Sequence, residues 1–396
     1  MTVPETAILI LNILGWFFLI PTIGGSVYAL LCTFAVIRFR IQSGRERRNR
    51  FQSYPPVTVL KPVHGVEKHQ RRNLRSTCLQ DYPEYQVVFS VQDAGDPSIP
   101  LLEEIQKEFG TERVTVAVEN CQAGTNGKIN NMIGGLKHAR HEILVISDSD
   151  VLLKPDYLKT IVSPLADPEV GCACTLYKAT AADRWFEKIE LLSLNADFMA
   201  NVLFAHVTGA SKFCLGASAA LRRSTLEQIG GFEALADYLV EDYEMGRRIW
   251  ELGKRVEIIP YFVDTMVDLK RPSQWWSHQV YWDQNTRAAR PYAFFATALV
   301  RSVPFAFLFA ATRLMNPLGL GVLAGAVVLR VLSIAAVLGW GLRDREGLRS
   351  LWLLALRDMS SLVTWLLAFT KKTTIWRGTS FILTRDGRLV AKEARS

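Results

Sequence analysis

The chain has 396 residues and a formal net charge of +8; 49% of it is hydrophobic, and its mean hydropathy is +0.13. That length allows about two domains, or one domain with membrane segments. The apolar excess is concentrated at the two ends, so composition argues against a wholly soluble protein and for a membrane protein with a soluble middle.

The stretch from about Ala7 to Ile37 carries no charge, and about 20 apolar residues suffice to cross a bilayer. It is too long for the apolar core of a signal peptide, and no basic residue precedes it. Residues 1–37 are therefore expected to form an N-terminal transmembrane anchor. A basic juxtamembrane linker, 38–54, follows with Arg38, Arg40, Arg45, Arg47, Arg48 and Arg50. Positive residues beside a span mark its cytoplasmic side and attract an anionic membrane surface. Binding to nucleic acid is not expected, because no aromatic stacking platform accompanies the cluster.

Between 55 and 270 the pattern changes. "VTVLKP" (57–62), "YQVVFSVQD" (85–93), "RVTVAVE" (113–119) and "EILVISDSD" (142–150) read as strands. The segments 67–80, 99–110 and 128–140 between them read as helices. Such alternation implies parallel α/β units, and the near-continuous apolar strands imply a sheet covered on both faces. Six cysteines are present without a C-x-x-C pair, so zinc is not expected and buried, reduced thiols are.

After Pro272, Trp275, Trp276, Tyr281 and Trp282 stand beside Arg287 and Arg290, which suggests a helix lying at the membrane interface within 271–292. Three apolar segments follow within 293–370, near 293–312, 317–341 and 351–370. Each carries ionisable residues: Arg301, then Arg330, then Arg357 with Asp358. A charge at mid-bilayer costs on the order of 3 kcal/mol. Three full spans would also place the basic residues of the tail 371–396 (Lys371, Lys372 and Arg377) outside, against the positive-inside preference. Two spans plus one interfacial or re-entrant helix remove the conflict, and the doubly charged last segment is the expected non-spanning one.

The chemistry is carried by carboxylates at strand ends, where ligands collect in open α/β sheets. Asp93 ends one strand in "VQDAGDP", Asp148 and Asp150 form a D-x-D after another, and Asp242 sits in "LVEDYEMGRRI". A D-x-D can hold Mg2+ or Mn2+ through hard oxygen ligands, and such an ion bridges a diphosphate and neutralises a leaving group. Asp93 suits a base or ribose, Asp242 suits proton removal from an attacking hydroxyl, and Lys128 in "GTNGKINN" faces either the phosphates or solvent. Singly these signals are weak, since a lone D-x-D is more often a capped loop. Their order and spacing raise their weight.

With these motifs the chain resembles the ceramide glucosyltransferase family, glycosyltransferase family 21, including its bacterial hopanoid-associated members. The matching stretches are "VTVLKPVHGVE", "LQDYPEYQVVFSVQDAGDP", "GKINNM", "ISDSD", "FCLGASAALRRSTLEQIGGFEALADYLVEDYEMGRRI", "HQVYW" and, near the tail, "WRG". The resemblance implies a GT-A fold (an α/β, Rossmann-like nucleotide-diphospho-sugar transferase domain) with transmembrane helices at both ends. It implies inverting transfer of one hexose, glucose first, from a UDP-sugar to a lipid hydroxyl such as ceramide or a hopanoid. On that resemblance Asp93, Lys128 and Asp148 face the donor, Asp150 with Asp148 holds Mn2+ or Mg2+, and Asp242 is the general base. The enzyme would be integral to the plasma (inner) membrane with its catalytic domain cytoplasmic.

The chain departs from the family in two places. The family signature R-x-x-R-W or Q-x-x-R-W is here "HQVYW", with His278 first, Tyr281 in place of a basic residue, and Trp282 retained. The His-Pro of the eukaryotic ceramide enzymes is absent from "ADFMANVLF", which argues against ceramide in particular. Two other readings share parts of the pattern: a processive polysaccharide synthase, and a catalytically weak lipid-binding scaffold.

Overall fold

Runs of Val, Ile and Leu that alternate with short amphipathic helices must bury both faces of each strand, and they do so in a mixed eight-stranded sheet. The computed structural model describes residues 5–43, 53–370, 373–376, 379–384 and 387–391. The basic residues Arg45, Arg47, Arg48, Arg50, Lys371, Lys372 and Arg377 lie outside the described residues. The chain forms two compact units that are interleaved in sequence. The α/β unit takes in 43–181, 209–268 and 373–396, and the membrane-helix unit takes in 1–42, 182–208 and 269–372.

In the α/β unit the strands are β1 (Val57–Pro62), β2 (Tyr85–Val91), β3 (Val114–Val118), β4 (Ile143–Ser147), β5 (Val151–Leu152), β6 (Val170–Thr180), β7 (Ser218–Arg222) and β8 (Arg255–Met266). Their order is β3-β2-β1-β4-β7-β6-β8-β5. Strands β3, β2, β1 and β4 run parallel, with Val57 paired to both Tyr85 and Ile143. The helices Gln70–Cys78, Ile99–Phe109 and Gly127–Leu136 link them as crossovers. β7 runs antiparallel to both β4 and β6. The chain leaves β1 toward β2 and returns beyond β1 to β4, so the carboxyl ends of β1 and β4 flank a topological switch point, where ligands of such sheets sit.

Every residue of β1, β2 and β4 is buried. Burying one Val or Leu side chain contributes about 1.5–3 kcal/mol, as an upper figure, so the sheet core is the main source of stability here. The expected helix 128–140 ends earlier, at Leu136. The amides of Arg140 and His141 donate instead to Thr58 Oγ1, and Arg140 N also donates to Gln86 Oε1, so strand side chains take over the backbone donors. A three-stranded antiparallel sheet, β9 (Thr373–Trp376), β10 (Thr379–Leu383) and β11 (Leu389–Ala391), belongs to this unit as well.

In the membrane-helix unit, the first helix runs Glu5–Ser43 and carries Arg38 and Arg40 inside its C-terminal end, past the expected boundary at 37. Among the described residues, three helices are long and apolar enough to cross a membrane: Glu5–Ile41, Pro317–Leu342 and Leu351–Thr370. The pair Pro291–Val300 and Ser302–Thr312 is bent by 51° and counts as a broken span or a re-entrant loop. The irregular segment is therefore the first of the three after the α/β domain, and the segment near 351–370 passes the same test as an ordinary span. The reason lies in pairing. Arg330 bonds Asp197 at 2.6 Å and Asp358 at 3.0 Å, while Arg357 bonds Asp358 at 3.0 Å and also meets Asp197, so these charges neutralise one another. The bend at Arg301 lies against Gly25, where a Cβ would come within 2.7 Å of Ser302 N.

Residues 182–208 contribute helices Trp185–Leu192 and Met199–Val207, joined by the π-helical turn Ser193–Phe198 that carries Asp197. Phe186, Ile189 and Leu192 pack with Trp275, Ile334, Leu338 and Leu353 in one apolar cluster.

Candidate active site

The site at the end of β4 starts from the turn Asp148–Asp150. Asp148 N donates to Ala217 O of the chain entering β7. Lys61, near the end of β1 and fully buried, donates its Nζ to Ser147 Oγ at 3.2 Å and Val151 O at 3.3 Å. It thereby pins both shoulders of the D-x-D turn. Burial pulls its pKa down to about 8, against the attraction of Asp150 and Asp148.

Lys128 sits in the first turn of helix Gly127–Leu136, which Asn126 caps by accepting from Lys128 N and Ile129 N. Its Nζ lies 2.7 Å from Asp148 Oδ1 and 3.1 Å from Glu241 Oε1, and it donates to Gly216 O at 3.3 Å. Burial works against its charge, yet Asp148 and Glu241 outweigh burial and raise its pKa, so it is an ammonium. One lysine thus joins the D-x-D turn to the start of helix Glu241–Glu251, a segment nearly a hundred residues further along the chain.

Asp242, the next residue of that helix, accepts from Tyr243 N at 2.8 Å. Burial and the neighbouring Glu241 carboxylate push its pKa up to about 7, with Lys128 opposing. A carboxylate poised there accepts a proton well near neutrality. Two glycines hold it. A Cβ on Gly216 would come within 2.7 Å of Asp242 Oδ2, and one on Gly246 within 2.2 Å of Cys214 N. The glycine of "CLGAS" makes room for the carboxylate, and that of "EMGRRI" lets the helix lie against the chain before β7.

Among the described residues, no group of three or more His, Cys, Asp or Glu is arranged to hold a metal. The donor set still suits a divalent cation that also takes ligands from a diphosphate. Asp150 forms no ion pair among the described residues, and burial together with the Asp148 and Glu67 carboxylates pushes its pKa up to about 7. A hard cation at this turn would relieve that excess negative charge.

The structure brings Asp148, Lys128 and Glu241 into one cluster, with Asp150 and Asp242 each adjacent in sequence to a member or one residue removed. Asp93 is placed differently. It is exposed just past β2 and closes a turn by accepting from Gly95 N at 2.8 Å. The buried carboxylate of that loop is Asp96, bonded to Gly65 N, Ser98 N and Ser98 Oγ. His278, Tyr281 and Trp282 belong to the membrane-helix unit, on helix Pro272–Ala289. His278 Nδ1 lies 2.6 Å from Glu190 Oε1, its ring is nearly parallel to that of Tyr281 (9°), and Trp282 contacts it edge-on. Burial lowers the histidine's basicity, but Glu190 outweighs this and raises it.

Sequence reasoning missed Lys61 and Glu241. The first was signalled by a lysine inside an otherwise apolar strand, since a lysine is almost never fully buried without partners. The second was signalled by the doubled acid of "VEDY", read only through its aspartate.

A parallel-to-mixed α/β sheet with carboxylates gathered at its switch point, in a chain that also carries helices of membrane-spanning length, has the architecture of a GT-A-type domain. The chain belongs to glycosyl transferase family 21, whose model matches residues 18–389. It is similar to ceramide glucosyltransferase 1 of Caenorhabditis elegans, 26% identical over 52% of this chain and 44% of that protein. It is also similar to the ceramide glucosyltransferase of Candida albicans, 32% identical over 28% of this chain and 23% of that protein. The matched regions thus span less than half the length of these relatives. Among solved structures, a mannosyltransferase of Pyrobaculum calidifontis in complex with GDP-mannose and Mn2+ aligns at 21% identity with a TM-score of 0.46. That alignment covers 88% of this chain and 98% of that one.

Proposed function

We propose that the chain is an inverting, membrane-bound hexosyltransferase that moves one hexose, glucose first, from a UDP-sugar to a lipid hydroxyl such as that of ceramide or a hopanoid. The observation that carries this reading is the Lys128 bridge, which ties the D-x-D turn to the helix start bearing Asp242. In the proposed reaction the acceptor oxygen attacks the anomeric carbon in line, the bond from that carbon to the diphosphate oxygen breaks, and its electron pair leaves with UDP. Asp242 takes the acceptor's proton, so one base suffices and no covalent intermediate is needed. Asp148 and Asp150 would hold Mn2+ or Mg2+, which supplies positive charge to the departing diphosphate. Lys61 keeps the turn in place from below. Arg38 and Arg40 at the end of the first helix support a cytoplasmic α/β domain on the plasma (inner) membrane, beside anionic lipid.

The test is to incubate detergent-purified protein with a panel of UDP-sugars, Mn2+ and a total lipid extract of its own host, and to analyse the lipids by mass spectrometry. One lipid gaining one hexose is the expected product. A ladder of adducts would replace this reading with a processive polysaccharide synthase. Bound nucleotide with no adduct would replace it with a lipid-binding scaffold.

A further inference from the structure

The Lys128 helix and the Glu241–Asp242 helix are tied together ahead of their first turns. Asn126 N donates to Ala236 O at 2.7 Å, and its side-chain amide donates to Tyr238 O at 2.9 Å and Glu241 Oε2 at 3.3 Å. Thr125 N donates to Asp237 Oδ1 at 3.0 Å. The two segments lie so close at Gly124 that a Cβ there would come within 2.6 Å of Ala236 O. The geometry of Lys128, Glu241 and Asp242 therefore depends on how residues 236–240 lie against 124–126.

The same segment is held from its other side by the C-terminal sheet. Leu389 N donates to Asp237 O at 2.7 Å and Leu239 N to Gly387 O at 3.0 Å, with Tyr238 and Arg388 forming an antiparallel bridge between these bonds. The Arg388 guanidinium lies over the Tyr238 ring, 5.2 Å from its centre. Thr125 Oγ1 is 3.1 Å from Leu389 O and 3.2 Å from Asp237 Oδ1, so one hydroxyl is shared among loop, segment and tail. Phe381, Leu383 and Leu389 are buried, which anchors strands too short to hold together alone in water.

We propose that the C-terminal sheet is a positioning element of the active site, with Leu389 and Thr125 as the residues through which it fixes Lys128, Glu241 and Asp242. Its catalytic consequence rests on the function proposed above. The antiparallel bridge of Arg388 with Tyr238, flanked by the Leu389 N–Asp237 O and Leu239 N–Gly387 O bonds, fixes where 237–239 lies along the tail. A loosened segment displaces the base and the lysine together, and misplacement by about 1 Å can cost about a hundredfold in rate.

The experiment compares the full-length wild type with Leu389→Pro, Thr125→Val and Thr125→Ser. Hydrogen exchange is followed over 124–130 and 236–244, alongside kcat and the KM for the UDP-sugar. Leu389→Pro removes the donor to Asp237 O and disrupts the pairing. It is expected to speed exchange in both segments and to lower kcat about tenfold to a hundredfold, with kcat falling more than KM rises. Thr125→Val is expected to shift both in the same direction by less, and Thr125→Ser to restore them. If Leu389→Pro fails to fold, the Val and Ser variants decide by themselves. Unchanged exchange in the folded variants would overturn the proposal, as would faster exchange with unchanged kcat. A wild type that transfers no sugar would overturn the proposed function alone, and the exchange comparison would still decide whether the tail holds the two segments.

Discussion

In the α/β unit, Asp148, Asp150, Glu241 and Asp242 share two lysines, Lys61 and Lys128. In the membrane-helix unit, Asp197 and Asp358 face Arg330 and Arg357 in a closed set of pairs. The second cluster is balanced, two charges against two. Balance lets helices such as Pro317–Leu342 and Leu351–Thr370 carry arginine and aspartate in segments of membrane-spanning character, because each charge that would be costly alone is paired. The first cluster has an excess of carboxylates, and burial, with repulsion between those carboxylates added, pushes Asp150 and Asp242 toward the neutral form. A balanced cluster holds a fold together. An acidic one, on the function proposed above, would take up a cation.

The sharpest way to break this contrast is to neutralise one member of each cluster. Asp242→Asn is expected to lower kcat by about 10²–10⁴-fold, the usual worth of a general base, while UDP-sugar binding stays near that of the wild type. Turnover close to normal in this variant, measured by steady-state transfer, would remove Asp242 from the base role. Asp358→Asn leaves Arg330 and Arg357 short of a counter-charge and is expected to cost about 3–5 kcal/mol of stability in detergent. Asp150→Asn, by contrast, should leave the metal-free protein as stable as the wild type or more so. Thermal unfolding of the two variants side by side checks the difference in sign.

A smaller effect follows from pH. The folded pKa of Asp242, about 7, lies above the ordinary carboxylate value of about 4, so the folded protein binds more protons than the unfolded chain between those limits. Its contribution therefore disfavours folding progressively as pH rises from about 4 to about 7 and is fully unfavourable above that. The melting temperature of Asp242→Asn minus that of the wild type, both metal-free, should grow across this window. As the proposed base, Asp242 acts only when ionised, so kcat should fall about tenfold per pH unit on the acid side of its pKa in the metal-loaded enzyme. A melting difference that stays flat between pH 4 and 8 would contradict the burial argument.

The contrast also explains what was legible in the chain. The strands β1 to β4 and their crossover helices were readable because periodicity is local. The positions of Asp148 and Asp150 after β4 and of Asp242 at a helix start were readable for the same reason. The pairing that makes Leu351–Thr370 a regular candidate span was not readable, since Arg330 meets Asp197 across 133 residues and Asp358 across 28. The membership of 182–208 in the membrane-helix unit was hidden for the same reason: Phe186 and Ile189 read as any apolar helix face until Trp275 and Leu338 are seen against them. The placement of the tail beside Asp237 and Tyr238 depends on backbone pairing with Gly387 and Leu389, which leaves no trace in residue type. Asp93 was legible in the same way as Asp148, as a carboxylate just past the end of β2, and here it accepts from Gly95 N.

The central claim, that the acidic cluster of the α/β unit is completed by a cation, is tested most directly by the thermal stability of the purified protein on adding Mn2+ and UDP together. The wild type should gain a clear, concentration-dependent increase in melting temperature, as expected for a ligand that binds only the folded state. Asp150→Ala should gain none. An equal increase in Asp150→Ala would place the cation elsewhere and contradict the account.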